Sequence, residues 1–177
     1  MGKKPAVVLV FSAAVFAAVP AQALGSVSFE SGRGNDKTDM WRVGWQWESR
    51  KKWLARGNWY VGAYWDLQLG TWITNQGKSI VDVGLTPVFR LQQATPSAWS
   101  PYMEAAIGFH NISDTRVNAS RVTSTHFQYG DHLGAGVRFG GGRYDTSVRL
   151  QHLSNGGLER SNPGINYVQL RVQYHFQ

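Results

Sequence analysis

The sequence predicts an all-β protein, an eight-stranded antiparallel barrel that spans an outer membrane. Eight segments of the chain carry apolar residues at every second position, which is the period of a β-strand. Many of these segments approach or exceed ten residues, and an even number of such strands is typical of outer-membrane barrels. Eight tryptophans, seven tyrosines and eight phenylalanines are many for 177 residues, and they suit the aromatic belts of a membrane barrel.

The N-terminal residues 1–23 are predicted to be a secretory signal peptide and not part of the fold. Lys3 and Lys4 precede an uncharged apolar run over residues 6–19, which is too short for a comfortable transmembrane helix. We therefore expect a single barrel domain over residues 24–177. Loss of the two lysines would lower the formal net charge from +7 to +5. Because the chain has no cysteine, the domain must be held by its core or by closure of the sheet.

The first four strands are predicted over residues 27–34, 40–48, 59–70 and 79–92. The first is short, carries small residues and ends in a glycine-rich turn. In the second and third, tryptophans and aliphatic residues alternate with polar residues or glycine, and the basic stretch 49–58 between them is predicted to be a connection. A loop over residues 72–78 leads to the fourth strand, where Pro87 indicates a bulge or a missing ladder bond.

The last four strands are predicted over residues 101–110, 125–139, 146–154 and 165–176. The fifth sets Met103 and Ile107 against polar residues, and the polar stretch 111–124 after it is the longest connection. The sixth alternates small apolar residues with glycine and ends at a tight turn over residues 140–142. The eighth strand ends at Phe176, as expected for the terminal strand of an outer-membrane barrel.

A soluble β-sandwich or a lipocalin-like barrel would show the same periodicity. The polar faces of the segments favour the membrane barrel, because they carry Arg42, Asp66, Glu104 and Arg149 among other charged residues. Charges inside a small barrel can pair with one another or hold water, whereas the inner face of a sandwich would be apolar.

A histidine and a serine continue the apolar face of the seventh strand. Thr146, Val148 and Leu150 share that face, and His152 and Ser154 follow with the same parity. Polar side chains on an apolar face are costly unless they have partners or do chemistry. Residues two apart on a strand have their Cα atoms about 6.6 Å apart on one side, so the two side chains can meet.

These residues suggest nucleophilic acyl transfer. Ser154 would be the nucleophile and His152 the base, and Asn166, which opens the apolar side of the next strand, would orient the imidazole. Asn155 and the backbone amide of Gly157 are close enough in sequence to stabilise an oxyanion. With both termini periplasmic, the site would face lipid in the outer leaflet. The alternative is a belt histidine bonded to a serine beside a simple turn.

Two stretches resemble the outer-membrane lipid A 3-O-deacylases, which are eight-stranded barrels of this length. They are HLSNGGL at residues 152–158 and NPGI at residues 162–165. The resemblance implies hydrolysis of the ester-linked 3-hydroxyacyl chain of lipid A, with Ser154 as nucleophile, His152 as base, and Asn155 with Gly157 as oxyanion donors. The implied partner is the lipid A of lipopolysaccharide in the outer membrane of Gram-negative bacteria.

One position departs from that family, which has an acidic residue where this chain has Asn166. The outer-membrane phospholipases A, which are larger barrels, use His, Ser and Asn at similar spacing, so phospholipid ester hydrolysis stays open as a second function. Glu159 in the following loop is a second candidate for the missing carboxylate, and a solvated loop charge is its simpler interpretation. A noncatalytic structural or adhesive barrel is a third possibility.

The remaining polar residues give weaker signals. Lys78, Arg116, Arg121 and Arg160 fall in predicted outer loops, where they could contact lipid A phosphates or simply be solvated. The other histidines are dispersed and lack ligand spacing, so no metal site and no cofactor are predicted. Nothing beyond the positive charge indicates nucleic-acid binding.

Overall fold

A computed structural model describes residues 25–119 and 121–176. The predicted signal peptide over residues 1–23 lies outside the described residues. In the part of the chain that is described, no helix is long and apolar enough to cross a membrane. The strands are β1 Ser26–Gly34, β2 Asp39–Glu48, β3 Trp53–Arg56, β4 Trp59–Ile73, β5 Ser79–Gln93, β6 Trp99–Ile112, β7 Phe127–Phe139, β8 Tyr144–Ser154 and β9 Ile165–His175.

The eight long strands close into an antiparallel barrel. From β4 onwards each strand pairs with the next, and β1 joins β2 to β9. The barrel closes where β2 pairs with β4, from Asp39 opposite Ile73 to Glu48 opposite Tyr64. Each long strand therefore has a partner on both sides, which satisfies the backbone groups that an open edge would expose to lipid. The prediction of an eight-stranded barrel is confirmed.

The short strand β3 corrects the prediction that residues 49–58 are only a connection. β4 continues past the end of β2, which stops opposite Tyr64, and β3 pairs with this overhang through Trp53 opposite Val61 and Arg56 opposite Trp59. Its residues are all exposed and its register is interrupted between the two pairs. No sequence pattern predicts this strand, because four residues are too few to show a period-two alternation.

The two faces of the barrel wall have opposite chemistry. Large apolar side chains such as Leu133 and Leu150 point outward and are 66% and 60% exposed, whereas Arg149 and Glu104 point into the lumen and are 1% and 4% exposed. A soluble protein would bury the first pair and expose the second. This inversion fits a lipid-facing wall and excludes the soluble sandwich.

The lumen is filled by a network of arginines and carboxylates. Arg149 donates from Nε to Glu104 Oε1 at 2.6 Å and from Nη2 to Tyr64 Oη at 2.9 Å, and it also bonds Glu30. Arg90 donates to Glu104 Oε2 at 2.9 Å. Because each buried charge has an opposite charge beside it, the network offsets the cost of removing these groups from water.

Aromatic side chains form two outward clusters, one towards each end of the barrel. Where β6 and β7 approach the loop 113–126, Phe109, Phe127 and Tyr129 contact one another with ring centroids 5.1 to 6.1 Å apart. At the opposite end a chain of ring contacts joins Trp99, Phe139, Tyr144, Tyr174 and Phe176. Such clusters are expected at the two membrane interfaces.

The end of the barrel that carries the connections 35–38, 74–78, 113–126 and 155–164 is called the upper end. An apolar cap closes the lumen there, and it contains Met40, Trp72, Ile80, Ile112, Val117, Leu153, Ile165 and Tyr167. β4 continues to Ile73, three residues past the predicted end of the strand. The reason is that the indole of Trp72 packs inward on Tyr167. Leu153, Ile165 and Tyr167 alternate with outward residues of β8 and β9, so the cap anchors both strand ends from behind.

Candidate active site

A histidine and an asparagine meet across the upper ends of β8 and β9. His152 lies directly opposite Asn166 in the strand register, and His152 Nδ1 is 2.6 Å from Asn166 Oδ1. An amide oxygen only accepts hydrogen bonds, so Nδ1 carries the proton and Nε2 is left with a free lone pair. This is the tautomer that a general base needs.

Ser154 is the last residue of β8 and lies on the outward face with His152. Its side chain is half-buried, and its Oγ accepts a hydrogen bond from the Gly156 amide at 3.4 Å. In the described part of the chain the hydroxyl is bonded to this amide rather than to the imidazole. The bond is long, and catalytic hydrogen bonds commonly form only once a substrate is bound.

Asn155 folds the loop that follows Ser154. The residue is fully buried, its Nδ2 donates to the Glu159 carbonyl at 3.2 Å, and its Oδ1 accepts from the Gly157 amide at 2.9 Å. Its own amide donates to Asn162 Oδ1 at 2.9 Å. The two residues predicted as oxyanion donors are thus joined to each other, and Asn155 Nδ2 retains one hydrogen beyond the bond to Glu159.

Gly164 packs against the imidazole. A Cβ atom added at this position would lie 2.6 Å from His152 Cε1 and 3.2 Å from Nε2, and the backbone φ of +51° is in the left-handed region. Only glycine fits without displacing the ring. The sequence showed this glycine within the NPGI stretch but gave no indication that it contacts the base.

The outward face beside His152 and Asn166 forms an open hollow of about 640 Å³. Its apolar wall is formed by Leu133, Leu150 and Val168. An ester carbonyl at the histidine would therefore sit beside a surface that suits a hydrocarbon chain.

Two charged residues also line this hollow, and sequence reasoning missed both. Arg33 comes from the upper end of β1 and pairs with Asp39 at 3.4 Å, and Asp131 comes from β7. Asp131 shares the outward, apolar face of its strand with Leu133. A carboxylate at such a lipid-facing position is unusual, and this was the signal by which the sequence could have indicated Asp131 as a site residue.

The basic residues predicted as phosphate contacts fall into two groups. Lys78 Nζ lies 2.6 Å from Asp114 Oδ2, and its hydrogen bond holds the pKa of that carboxyl below its ordinary value. Arg121 lies 3.4 Å from Asp36 and donates to the Pro163 carbonyl at 2.9 Å, so it braces the loop before Asn166. Both cations already have carboxylate partners.

Arg116 and Arg160 differ from these two. Within residues 25–119 and 121–176 no ion pair involves the guanidinium of either residue. The Arg160 carbonyl accepts a hydrogen bond from Ser124, which joins the loop 155–164 to the loop 113–126.

Glu159 and the histidines are the other residues considered from the sequence. The Glu159 carbonyl holds Asn155, and among the described residues no hydrogen bond joins the Glu159 side chain to His152. No group of three or more His, Cys, Asp and Glu side chains in the described part of the chain could hold a metal ion.

Comparison with known proteins gives the family. The family described as "Lipid A 3-O-deacylase (PagL)" matches residues 39–175, which include every strand of the barrel except β1. The chain belongs to the PagL family. Asn166, the residue at which the sequence was expected to depart from this family, lies at the imidazole in the structure.

Named relatives agree with this membership. A protein of Pseudomonas aeruginosa named lipid A deacylase PagL is 32% identical over 131 residues, which are 73% of this chain and 74% of that protein. A protein of the same name from Bordetella bronchiseptica is 39% identical over 75 residues, 42% of this chain and 41% of that protein. The crystal structure of the outer membrane enzyme PagL matches with a TM-score of 0.79 at 28% identity, covering 85% of this chain and 99% of that one. This PagL-family chain is accordingly an outer-membrane barrel.

Proposed function

We propose that this barrel is a lipid A 3-O-deacylase whose residues Ser154 and His152 cleave the ester on the lipid-facing surface. The observation that carries the proposal is the His152–Asn166 hydrogen bond two residues from Ser154, on the outward face of a PagL-family barrel. The inward neighbours of these residues are fixed in the apolar cap, which supports a preorganised site.

The position of the site matches the substrate. The connections 113–126 and 155–164 are the longest in the described part of the chain, and both lie at the upper end. Outer-membrane barrels carry their longer loops outside. We infer that the site lies at the level of the outer leaflet, where lipid A is found, and that the acyl chain lies along the apolar wall of the hollow.

The first half of the reaction forms an acyl-enzyme. His152 Nε2 removes the proton of Ser154 Oγ as Oγ bonds to the ester carbonyl carbon. The negative charge moves to the carbonyl oxygen, which the second hydrogen of Asn155 Nδ2 is proposed to stabilise. The Gly157 amide becomes the second donor only if it leaves Asn155 Oδ1. The intermediate then expels the sugar oxygen, which takes the proton from His152 and becomes the free 3-hydroxyl of the glucosamine.

The second half releases the fatty acid. Water bonds to the acyl carbon while giving a proton to His152 Nε2, and the Ser154 oxygen leaves and recovers that proton. The products are a 3-hydroxy fatty acid and lipid A that lacks one acyl chain. Throughout, Asn166 keeps the proton of His152 on Nδ1, so Nε2 alone exchanges protons with the substrate.

Mass spectrometry of lipid A tests the proposal. The protein, extracted from outer membranes in detergent, should remove one 3-hydroxyacyl mass from lipid A, and Ser154→Ala should remove none. Both proteins must show the same heat-modifiable migration as a folded barrel. Unchanged lipid A with folded wild-type protein would reject the function and favour a noncatalytic barrel.

A parallel assay on phospholipid tests the second candidate function, phospholipid ester hydrolysis. The same proteins are incubated with phosphatidylethanolamine in mixed micelles, with and without calcium. Release of fatty acid from the phospholipid but not from lipid A would move the assignment to a phospholipase. Release from lipid A alone would support the deacylase.

A further inference from the structure

A neutral asparagine leaves one requirement of the reaction unmet. When His152 takes the proton of Ser154 it becomes an imidazolium, and a nearby negative charge lowers the energy of that state. Asn166 fixes the tautomer through Oδ1 but carries no charge to offset the imidazolium. This inference rests on the proposed function of Ser154 and His152.

An aspartate stands opposite the same histidine on the other neighbouring strand. β8 is flanked by β9 and β7, and His152 faces Asn166 on β9 and Asp131 on β7 in the strand registers. Side chains directly opposite one another in an antiparallel pair have Cβ atoms about 5 Å apart. Asp131 is exposed on the outward face and lines the same hollow as His152.

We propose that Asp131 is an electrostatic positioning residue that supplies, from β7, the negative charge that Asn166 lacks on β9. The histidine is thus served by two residues, with its tautomer set by an amide on one neighbouring strand and its positive charge offset by a carboxylate on the other. Asp131 acts through His152 and takes no proton itself.

The other groups that face His152 do not supply this charge. From β9 the neighbour is Asn166, from β7 Tyr129 stands opposite Ser154, and from β1 Arg33 lines the hollow. Arg33 is a cation and is already paired with Asp39 at 3.4 Å. Asp131 is therefore the one anionic side chain among the described residues that line this hollow.

The size of the effect follows from Coulomb's law. At about 6 Å and an effective dielectric constant of about 20, an opposite charge lowers the barrier enough to change a rate by about 100-fold. Solvent and lipid headgroups weaken this interaction at an open surface. We expect a change in kcat of about 10- to 100-fold, with little change in KM, because the interaction arises only as the imidazolium forms.

The experiment measures kcat and KM on lipid A in mixed micelles for the wild type, Asp131→Asn, Asp131→Glu and Asn166→Glu, and for the double variant Asp131→Asn with Asn166→Glu. Glu48→Gln is the matched control, because it removes a half-exposed carboxylate at the opposite end of the barrel. Heat-modifiable migration verifies the fold of each protein.

Asp131→Asn should lose about 10- to 100-fold in kcat, with KM within about twofold of the wild type. Asp131→Glu should keep most of the activity, Glu48→Gln all of it, and the double variant should recover most of the loss because its charge returns on β9.

Other results would overturn the inference. An unchanged kcat in Asp131→Asn would show that the charge is not used, and a raised KM with unchanged kcat would make Asp131 a substrate contact. An active Asn166→Glu that recovers nothing in the double variant would reduce Asp131 to a structural role. If Asn166→Glu is itself inactive, the double variant is uninformative and Asp131→Glu becomes the deciding variant. A kcat of Asp131→Glu as low as that of Asp131→Asn would then reject the charge role. A wild type as inactive as Ser154→Ala would instead reject the proposed function.

Discussion

The His152 imidazole is held by the side-chain amide of Asn166, with Nδ1 and Oδ1 2.6 Å apart across the β8–β9 pair. This bond fixes the ring orientation and leaves Nε2 free. Asn166→Ala should lower kcat at least about tenfold, because the ring and its tautomer are no longer fixed. Kinetics on lipid A measure this, with Leu170→Ala, an outward residue further along β9, as control. Equal rates in both variants would contradict an orienting role.

Gly164→Ala should abolish most of the activity, because its Cβ would lie 2.6 Å from His152 Cε1. The left-handed backbone adds a stability cost of about 1–2 kcal/mol. Gly77→Ala is the matched control, since its φ is +74° and nothing lies within 4 Å of an added Cβ. Both variants should lose similar stability in urea unfolding, and only Gly164→Ala should lose catalysis. Loss in both would mean that the strain, not the contact with the base, is responsible.

Asn155 is expected to have two roles, in folding the loop and in stabilising the oxyanion. Asn155→Ala removes the bonds to Gly157 and Glu159, so both the loop and the reaction should suffer. Asn155→Asp keeps the acceptor for Gly157 but loses the Nδ2 donor, including its bond to Glu159. If Nδ2 stabilises the oxyanion, kcat should fall about 100- to 1,000-fold in Asn155→Asp. Asn162→Ala, which removes the acceptor for the Asn155 backbone amide, is the control for a loosened loop and should lose much less. Normal kcat in Asn155→Asp would leave Asn155 with the loop role only.

Arg149→Ala should destabilise the barrel by about 3–5 kcal/mol, because Glu30 and Glu104 would each lose one of their buried arginine partners in the lumen. Arg33→Ala breaks only an exposed pair with Asp39 and should cost about 0–1 kcal/mol. Urea titrations followed by heat-modifiable migration compare the two. A small effect of Arg149→Ala would mean that water or the remaining arginines compensate for its loss.

Arg160→Ala should raise KM for lipid A several-fold, whereas Lys78→Ala should leave it unchanged. The reason is that Lys78 is neutralised by Asp114, while Arg160 has no ion pair among the described residues and lies in the loop beside Ser154. Lipid A that lacks its phosphates is the control substrate, because the KM for it should be the same in Arg160→Ala and in the wild type. A raised KM for the dephosphorylated substrate as well would mean that Arg160→Ala acts by disturbing the loop 155–164 and not by loss of a phosphate contact.

Much of the fold was predictable because a lipid-facing wall imposes period-two alternation on every long strand. The same alternation placed His152 and Ser154 on one face. The pairing of His152 with Asn166 could only be proposed, since strand register is not encoded in one sequence. The partners of Lys78 and Arg121 could not be predicted at all, because Asp114 and Asp36 reach them through loop folding that has no periodic signal.

The outward position of His152 and Ser154 has a consequence for kinetics. The hollow is open towards the lipid, so in the proposed reaction the bilayer itself would form the opposite wall of the site and limit the access of bulk water. Substrate would then arrive by lateral diffusion in the membrane plane, and the fatty acid would leave by the same route. Turnover should therefore follow the mole fraction of lipid A in the leaflet and the fluidity of its acyl chains, not the bulk molar concentration.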